Sequence, residues 1–333
     1  MAKARFIFVV GTRPDAIKTA PVVQEFRRYP ELAETILIST GQHREMLAQA
    51  LGAFDLEADF DLDIMAHGQS LADVTRRILE GLDQKIVEIE PTMLFAQGDT
   101  SSTFVGGLSS FYRQVPFGHV EAGLRTDTIW NPFPEEFNRR AVSLFADLHF
   151  APTAWSADNL RRENVEPGRI FVTGNTGIDA VQHMAKRNEK SWYPEHKGRL
   201  VLLTTHRREN WGEPQRQIAL AARELLDLYP DLLMVVPMHR NPQVRQTLES
   251  VLGDHLRVDL IEPPEYADFV KLLERCDFAL TDSGGIQEEA PAFGKPVFVL
   301  RETTERPEGV ESGTARLVGT EQRDIVAAAR EVL

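Results

Sequence analysis

Short runs of Val, Ile, Leu and Phe alternate with longer amphipathic stretches along the whole chain. "RFIFVVG", "ETILIST", "PTMLFAQGD", "VPFGHVEAG" and "DLHFAPT" in the first half, and "RLVLLTTH", "LLMVVPMH", "RVDLIEPP", "FALTDSGG" and "PVFVLR" in the second, are continuous apolar runs. Strands buried on both faces look like this, which predicts parallel sheets. Between them, "DAIKTAPVVQEFRRY", "SLADVTRRILEGLDQKIVEI" and "PEEFNRRAVSLFA" carry helical periodicity. Repeated βα units imply an α/β fold with helices on both sheet faces. The acidic "DLEADFDLDI" (55–64) is expected to be a solvated loop and an edge strand. About eleven strands are too many for one typical sheet, and the chain of 333 residues is long enough for two domains. The Gly and Asn cluster in "FVTGNTGIDA" (171–180) marks the boundary, giving doubly wound domains at 1–172 and 173–333. A ligand then belongs in a cleft outside the strands' carboxyl ends.

Composition narrows the partners. With 42% apolar and 26% charged residues the chain is globular, and its formal charge of −13 excludes a basic nucleic-acid or membrane face. A phosphorylated small molecule stays compatible, because a few arginines and backbone dipoles suffice for it. The single cysteine, Cys276, leaves no internal disulfide framework. The N-terminal apolar run is too short for a secretory signal, and no stretch approaches membrane-spanning length. A cytoplasmic location is expected. No histidine pair at i, i+4 and no Mg²⁺-type carboxylate spacing occurs, so no metal is expected.

Polar residues collect where the predicted strands end. In "TDSGGIQEEAPAFGKP" (281–296) an apolar run stops at Asp282 and a helix begins at Ser283, a good N-cap residue. Gly284 and Gly285 let backbone approach a ligand, and exposed N–H groups at a helix start suit phosphate. Glu289 lies four residues beyond Gly285 on the same helix face, roughly 6 Å along the axis, about the offset from a diphosphate to ribose hydroxyls. Glu288 is expected to be solvated or to match the dipole. A simple capped helix with exposed glutamates is the competing interpretation. "GTRPDAIK" repeats the logic at the first strand, with Gly11 opening the turn and Arg13 and Lys18 as cations. Solvent-facing Arg13 and Lys18 are the bland alternative. Asp99 in "GDT", Glu121 in "HVEAGLR" and Glu135 in "NPFPEEFNRR" add three carboxylates, against which stand an N-cap role for Asp99 and dipole matching for Glu135. Together with Arg13, Arg125 and His206 ("THRREN") they fit acid–base chemistry on a phosphorylated substrate.

"GTRPDAIKTAPVV", "QGDTSST", "HVEAGLRT", "PFPEEFNRR", "VTGNTGIDA", "THRREN", "TDSGGIQEEAPAFGKPV" and "RETTERPEGVESGT" occur in order. They closely resemble the non-hydrolysing bacterial UDP-N-acetylglucosamine 2-epimerases from the first strand to about Gly319. The resemblance implies a GT-B fold, two Rossmann-like domains facing across a cleft, and interconversion of UDP-N-acetylglucosamine and UDP-N-acetylmannosamine without a cofactor. It places Arg13, Lys18, Asp99, Glu121, Glu135 and His206 at the reaction centre. Ser283, Gly284 and Gly285 would hold the diphosphate, Glu289 the ribose, Arg306 further phosphate charge, and Phe269 the uracil side. A second UDP-N-acetylglucosamine acting as activator is implied at Gln42, His43, Gln69, Arg207 and His239, with Glu45 and Gly68 where some relatives carry Gln and Arg. A homodimer serving cell-surface polysaccharide synthesis is also implied. Relatives continue past "LVGTEQRDIVAAAREVL" with a Gly-rich turn and a last helix crossing back onto the first domain. This sequence stops at Leu333; either the chain continues beyond it, or the clamp is missing and a weaker closed state is expected.

The chemistry explains the residue types. No ketone flanks C2–H of an acetamido sugar, so a carboxylate of ordinary pKa near ~4.3 cannot simply remove the proton. Departure of UDP from C1 acidifies it, leaving 2-acetamidoglucal, and re-addition on the other face inverts C2. One base and one acid on opposite faces account for paired carboxylates; which of the three plays which part stays open. A UDP-diacetamido-uronic acid 2-epimerase, a hydrolysing 2-epimerase, a GT-B glycosyltransferase and a catalytically silent nucleotide-sugar sensor are the alternatives. The complete acid–base set disfavours the last.

Overall fold

The structure is a computed structural model and describes residues 3–41, 44–66, 68–187 and 189–333. The chain divides into two compact units, Met1–Ala180 and Val181–Leu333. The first unit runs β1 (Ala4–Val10), α1 (Arg13–Arg27), β2 (Ala33–Ser39), α2 (Arg44–Gly52), β3 (Phe60–Asp61), α3 (Leu71–Ile89), β4 (Met93–Gln97) and α4 (Ser101–Tyr112). It continues with β5 (Phe117–Val120), α5 (Glu135–Ser143), β6 (Leu148–Ala151), α6 (Ala154–Arg162) and β7 (Ile170–Val172). Helix α7 (Thr176–Arg187) contains the division between the units. The second unit has β8 (Leu200–Thr204), α8 (Glu213–Leu228), β9 (Leu233–Pro237), α9 (Pro242–Leu252), β10 (Val258–Ile261) and α10 (Tyr266–Arg275). It ends with β11 (Phe278–Thr281), α11 (Gly284–Glu289), β12 (Val297–Val299), α12 (Pro307–Glu311), β13 (Ala315–Leu317) and α13 (Gln322–Ala329).

Each unit is one parallel sheet. The orders are β3-β2-β1-β4-β5-β6-β7 and β10-β9-β8-β11-β12-β13, both doubly wound in the Rossmann manner. The order reverses between β1 and β4 in the first sheet and between β8 and β11 in the second. At such a switch point neighbouring crossovers leave on opposite faces, so the turns diverge and open a crevice.

The apolar runs form these strands because they are covered on both sides. All five residues of β4 and of β8 are buried. Along β1, Phe6 and Phe8 join Phe26 of α1 and Phe95 of β4 in one aromatic cluster. The alternate residues Ile7 and Val9 pack on the other face with Ile78 and Leu82 of α3. Helix α3 buries Val74, Ile78, Leu82 and Ile86, a four-residue repeat that forms one stripe. The acidic stretch 55–64 does contain an edge strand, β3. Strands β7 and β13, three residues each, were not among the apolar runs. β7 leaves Phe171 and Val172 exposed, so neither length nor burial marks it. Among the described residues no helix is long and apolar enough to cross a membrane.

Gly123 is required by both conformation and packing. Gly123, after β5, has φ +92°, and a methyl group there would lie 2.2 Å from the carbonyl oxygen of Ser156 in α6. Gly294 shares the left-handed conformation (φ +68°) but faces open space. Gly294→Ala should therefore cost only about 1 kcal/mol of stability, the strain alone. Gly123→Ala should cost about 3 kcal/mol or more, because backbone must also move. Urea unfolding of both variants checks this, and equal losses would contradict it.

Candidate functional site

In the first unit the site begins at Asp15. Thr12 caps α1 and Asp15 returns the bond, a reciprocal capping box with Pro14 in the first turn. One oxygen, Asp15 Oδ2, accepts from Gly11 N (3.2 Å), Thr12 N (3.1 Å) and Thr100 Oγ1 (3.0 Å). It thereby fastens the turn after β1 to the turn after β4. Gly11 is needed here for close packing, since a Cβ would lie 1.9 Å from Ser102 Oγ. Burial raises the Asp15 carboxyl to about 6, against the pull of its hydrogen bonds.

Of the three expected carboxylates, Glu121 and Asp99 stand at strand ends of this unit with identifiable support, and Glu135 stands at a helix start. Glu121 follows β5 with φ +64°, the left-handed region that a side chain rarely occupies. Such strain is often stored where function fixes a side chain. Its Oε2 accepts from Lys18 Nζ at 2.5 Å and Gln97 Nε2 at 2.8 Å. Lys18 is buried, so its solvent-facing alternative fails. Asp99 follows Gly98 (φ +78°). Its carboxylate takes a charge-assisted bond from Arg139 Nη2, and its carbonyl accepts from Asn138 Nδ2 at 2.8 Å. Thr100, rather than Asp99, caps α4, which removes the N-cap alternative. Glu135 opens α5, the helix that also carries Asn138 and Arg139. Its neighbour Glu136 is wholly buried between Arg139 and Arg140. Arg13 is the first residue of α1 and is half-buried.

One cation proves structural. Arg125 is buried and holds Glu163 bidentately (2.8 and 2.6 Å), with Ser143 Oγ and its neighbour's carbonyl as further acceptors. Its donors are committed to bracing α5 and α6, so it is not a phosphate ligand. His119, buried on β5, binds the Gly98 carbonyl through Nε2 at 2.7 Å. Burial pushes its pKa down to about 3. It is therefore neutral, with Nε2 as donor to that carbonyl, and it steadies the turn that presents Asp99.

In the second unit Asp282 plays the part of Asp15. It is wholly buried at the end of β11 and accepts from Thr205 Oγ1, His206 N, Arg207 N and Asn210 Nδ2, each within 3.0–3.1 Å. Burial alone would raise its pKa. The His206 ring and the N–H groups of Arg207 and His206 outweigh that and hold it below the usual carboxylate value. The His206 ring lies 3.0 Å from Asp282 through Nδ1 and stacks on His239 at 5.7 Å between centroids.

The Ser-Gly-Gly turn is built differently from expectation. Ser283 occupies the N-cap position of α11, yet its side chain makes no capping bond. Its N–H donates to Thr281 Oγ1 at 2.9 Å. At Gly284 a Cβ would lie 2.7 Å from the Arg306 guanidinium, which would have to shift to admit it. That contact sets a cation beside the start of the helix. Arg306 is held by Glu288 (2.6 Å) and by Glu305, and Glu305 also pairs with buried Arg301 at 3.0 Å. Glu288 is thus a half-buried partner of Arg306 and not a solvated residue, correcting the expectation. Burial would raise Glu305, but Arg306 and Arg301 hold it well below its usual range. Glu289 lies over Gly285 (4.0 Å from a Cβ position) and accepts from Tyr266 Oη at 3.3 Å. Phe269 on α10 is half-buried against the β8–β11 core.

Of the expected activator residues, Gln42 and His43 lie outside the described residues. Gln69 precedes the Ser70 cap of α3, and its Oε1 is buried without a hydrogen-bond partner. Arg207 and His239 flank His206 in the second unit, and Arg207 Nε is likewise buried without a partner. Among the described residues no group of three or more His, Cys, Asp or Glu could hold a metal ion.

Comparison with known proteins places this arrangement. The family profile described as UDP-N-acetylglucosamine 2-epimerase matches residues 24–333. The chain is 48% identical to the UDP-N-acetylglucosamine 2-epimerase of Bacillus subtilis, over 100% of this chain and 88% of the relative. The chain belongs to the UDP-N-acetylglucosamine 2-epimerase family. Among solved structures, the Neisseria meningitidis UDP-GlcNAc 2-epimerase bound to UDP-GlcNAc superposes with a TM-score of 0.94 at 42% identity, covering 98% of this chain and 91% of that one. The Methanocaldococcus jannaschii enzyme in complex with UDP-GlcNAc and UDP gives 0.87 at 30%, covering 99% and 92%. The two parallel-sheet Rossmann-like units are those of the GT-B fold.

The electrostatics of Asp15 can be checked directly. Its folded-state pKa lies above the unfolded one, so the native state binds this proton more tightly. The associated stability is fully present below about pH 4 and is lost as pH rises through about 6. Relative to Asp15→Asn, the wild type should lose up to about 3 kcal/mol across that window. Denaturant titrations at pH 4 to 7 measure the difference, and a pH-independent one would refute the assignment.

Proposed function

We propose that the protein interconverts UDP-N-acetylglucosamine and UDP-N-acetylmannosamine by eliminating UDP and adding it back. The observation that carries this is the 48% identity to the B. subtilis epimerase over the full length of the chain. The bound UDP-GlcNAc and UDP of the N. meningitidis and M. jannaschii structures support the substrate. The side chains described above supply what the chemistry needs.

The diphosphate is held at Ser283, Gly284 and Gly285, where the Arg306 guanidinium already rests against Gly284. Its charge there, with Arg13 and His206, stabilises UDP as it departs with the C1–O electron pair. Glu289 receives the ribose hydroxyls and Phe269 borders the uracil. As positive charge grows at C1, a carboxylate takes the C2 proton, leaving 2-acetamidoglucal. An acid on the opposite face returns a proton to C2 while UDP re-attacks C1. Asp99, Glu121 and Glu135 supply base and acid. The Lys18–Glu121 and Arg139–Asp99 ion pairs keep two of them fixed in position. No redox step is involved.

A second UDP-N-acetylglucosamine acts as activator at the region of Gln69, Arg207 and His239. Gln69 in the first unit and Arg207 in the second each bury a polar atom without a hydrogen-bond partner, which supports a polar ligand at each. The protein works as a homodimer in the supply of amino sugars for surface polysaccharides. Supporting the dimer, α4 and α5 expose Phe111, Tyr112, Phe137 and Leu144, Leu144 being 87% exposed.

Asp99→Asn and Glu121→Gln should each lower kcat by roughly 10²–10⁴-fold, the range for acid–base groups. NMR of the UDP-sugar anomeric signals follows the rate, and circular dichroism verifies the fold. An unchanged rate in either folded variant would remove that residue from the mechanism. Sugar release or transfer without UDP-N-acetylmannosamine formation would overturn the proposed activity.

A further inference from the structure

His206 leaves the end of β8 with its side chain 37% exposed, whereas Asp282 beside it is wholly buried. The two oxygens of Asp282 are used differently. Oδ2 collects four donors: Thr205 Oγ1, His206 N, Arg207 N and Asn210 Nδ2. Oδ1 faces the imidazole, 3.0 Å from Nδ1, and shares the His206 N–H at 3.1 Å. An ionised carboxylate only accepts hydrogen bonds, so at that distance Nδ1 must carry the hydrogen. The backbone bonds at residues 206 and 207 fix where the ring leaves the chain. Trp211 Nε1 donates to the His206 carbonyl at 3.1 Å, which fixes the same turn from its other side.

We propose that Asp282 is a positioning residue for the epimerisation: it holds His206 as the Nδ1–H tautomer, so that Nε2 is the atom that exchanges a proton with the departing and returning diphosphate. The inference rests on the role given to His206 above and adds which nitrogen acts and what selects it. A histidine whose second nitrogen is tied to a carboxylate has one tautomer, one ring orientation and a favoured imidazolium. His239 stacks on His206, and Arg207 is its chain neighbour. His239 is lowered by burial, by His206 and by Arg245, while the Asp282 charge acts on it in the opposite sense. Of the stacked pair, His206 is the ring whose Nδ1 meets the carboxylate, at 3.0 Å, whereas His239 Nδ1 accepts from Asn241 N at 3.2 Å.

The alternative is that Asp282 only holds the β8–α8 loop together. Asp282→Asn separates the two. An asparagine can keep its oxygen where Oδ2 is and retain the backbone donors. Its NH₂ group then faces Nδ1 as a donor, which forces the neutral ring into the Nε2–H form. Long-range ¹H–¹⁵N NMR on the full-length enzyme with labelled histidine reads the tautomer, His206 being assigned by the signals lost in His206→Asn. In the wild type His206 should be Nδ1–H when neutral, and in Asp282→Asn it should be Nε2–H. The kcat of Asp282→Asn should fall roughly 10²-fold, with the alkaline limb of its pH profile displaced about 1 unit or more to lower pH. KM should change far less. Asn210→Ala removes a loop bond to the same carboxylate and should leave both tautomer and limb in place.

An Nε2–H His206 in the wild type would overturn the proposal without any variant, whether or not Asp282→Asn folds. So would an Asp282→Asn enzyme that loses only thermal stability while keeping tautomer and limb. If His206→Asn instead retains full activity, the role given to His206 fails, and the tautomer measurement still reports separately on what Asp282 does.

Discussion

A buried aspartate at each topological switch point is the constraint on which the candidate site depends. In the first sheet Asp15 joins the turns after β1 and β4, and in the second Asp282 joins the turns after β11 and β8. These are the two places where the strand order reverses. Diverging crossovers there leave backbone N–H groups without helix partners, and a carboxylate can satisfy several at once. Withdrawing a carboxylate from water costs several kcal/mol, so the device holds only where the hydrogen bonds are charge-assisted and numerous. The two sites differ in how well that cost is offset. Asp15 receives two backbone N–H groups and one hydroxyl, and burial still dominates, raising it to about 6. Asp282 receives in addition an amide and an imidazole, and ends below its ordinary value. One motif therefore yields a reluctant carboxylate in one unit and a firm anion that can orient a histidine in the other.

The chemistry sits on top of these fastenings. In the first unit α1 carries Lys18 to Glu121, and α5 carries Arg139 and Asn138 to Asp99. In the second, Glu288 and Glu305 hold Arg306 beside Gly284, so a cation stands at the helix start. Positions fixed in advance cost no reorganisation during reaction, which is where most electrostatic catalysis originates.

Much of this was legible in the sequence because the central strands are buried on both faces and read as unbroken apolar runs. β7 and β13 were not, since three residues with exposed neighbours carry no period. The strand-end residues Asp99, Glu121, His206 and Ser283 could be singled out by position alone. Their supports could not, because Arg139, His119 and Asp282 act over separations of 21 to 76 residues that no local pattern reveals. Asp15 did leave a signal, the Thr-x-x-Asp of a capping box in "TRPD". Glu288 was expected in water and Arg125 at the reaction site because neither's partner is visible locally: Arg306 and Glu163 lie 18 and 38 residues away.

The central proposed step is C2–H cleavage by a protein carboxylate after UDP begins to leave. Its most direct test is mass spectrometry of UDP-sugars recovered from incubation of the enzyme with UDP-N-acetylglucosamine in D₂O. One deuterium at C2 in the UDP-N-acetylmannosamine formed, and its gradual appearance in the recovered UDP-N-acetylglucosamine, is the predicted result. UDP-N-acetylmannosamine that forms with C2 still carrying its original hydrogen would contradict it.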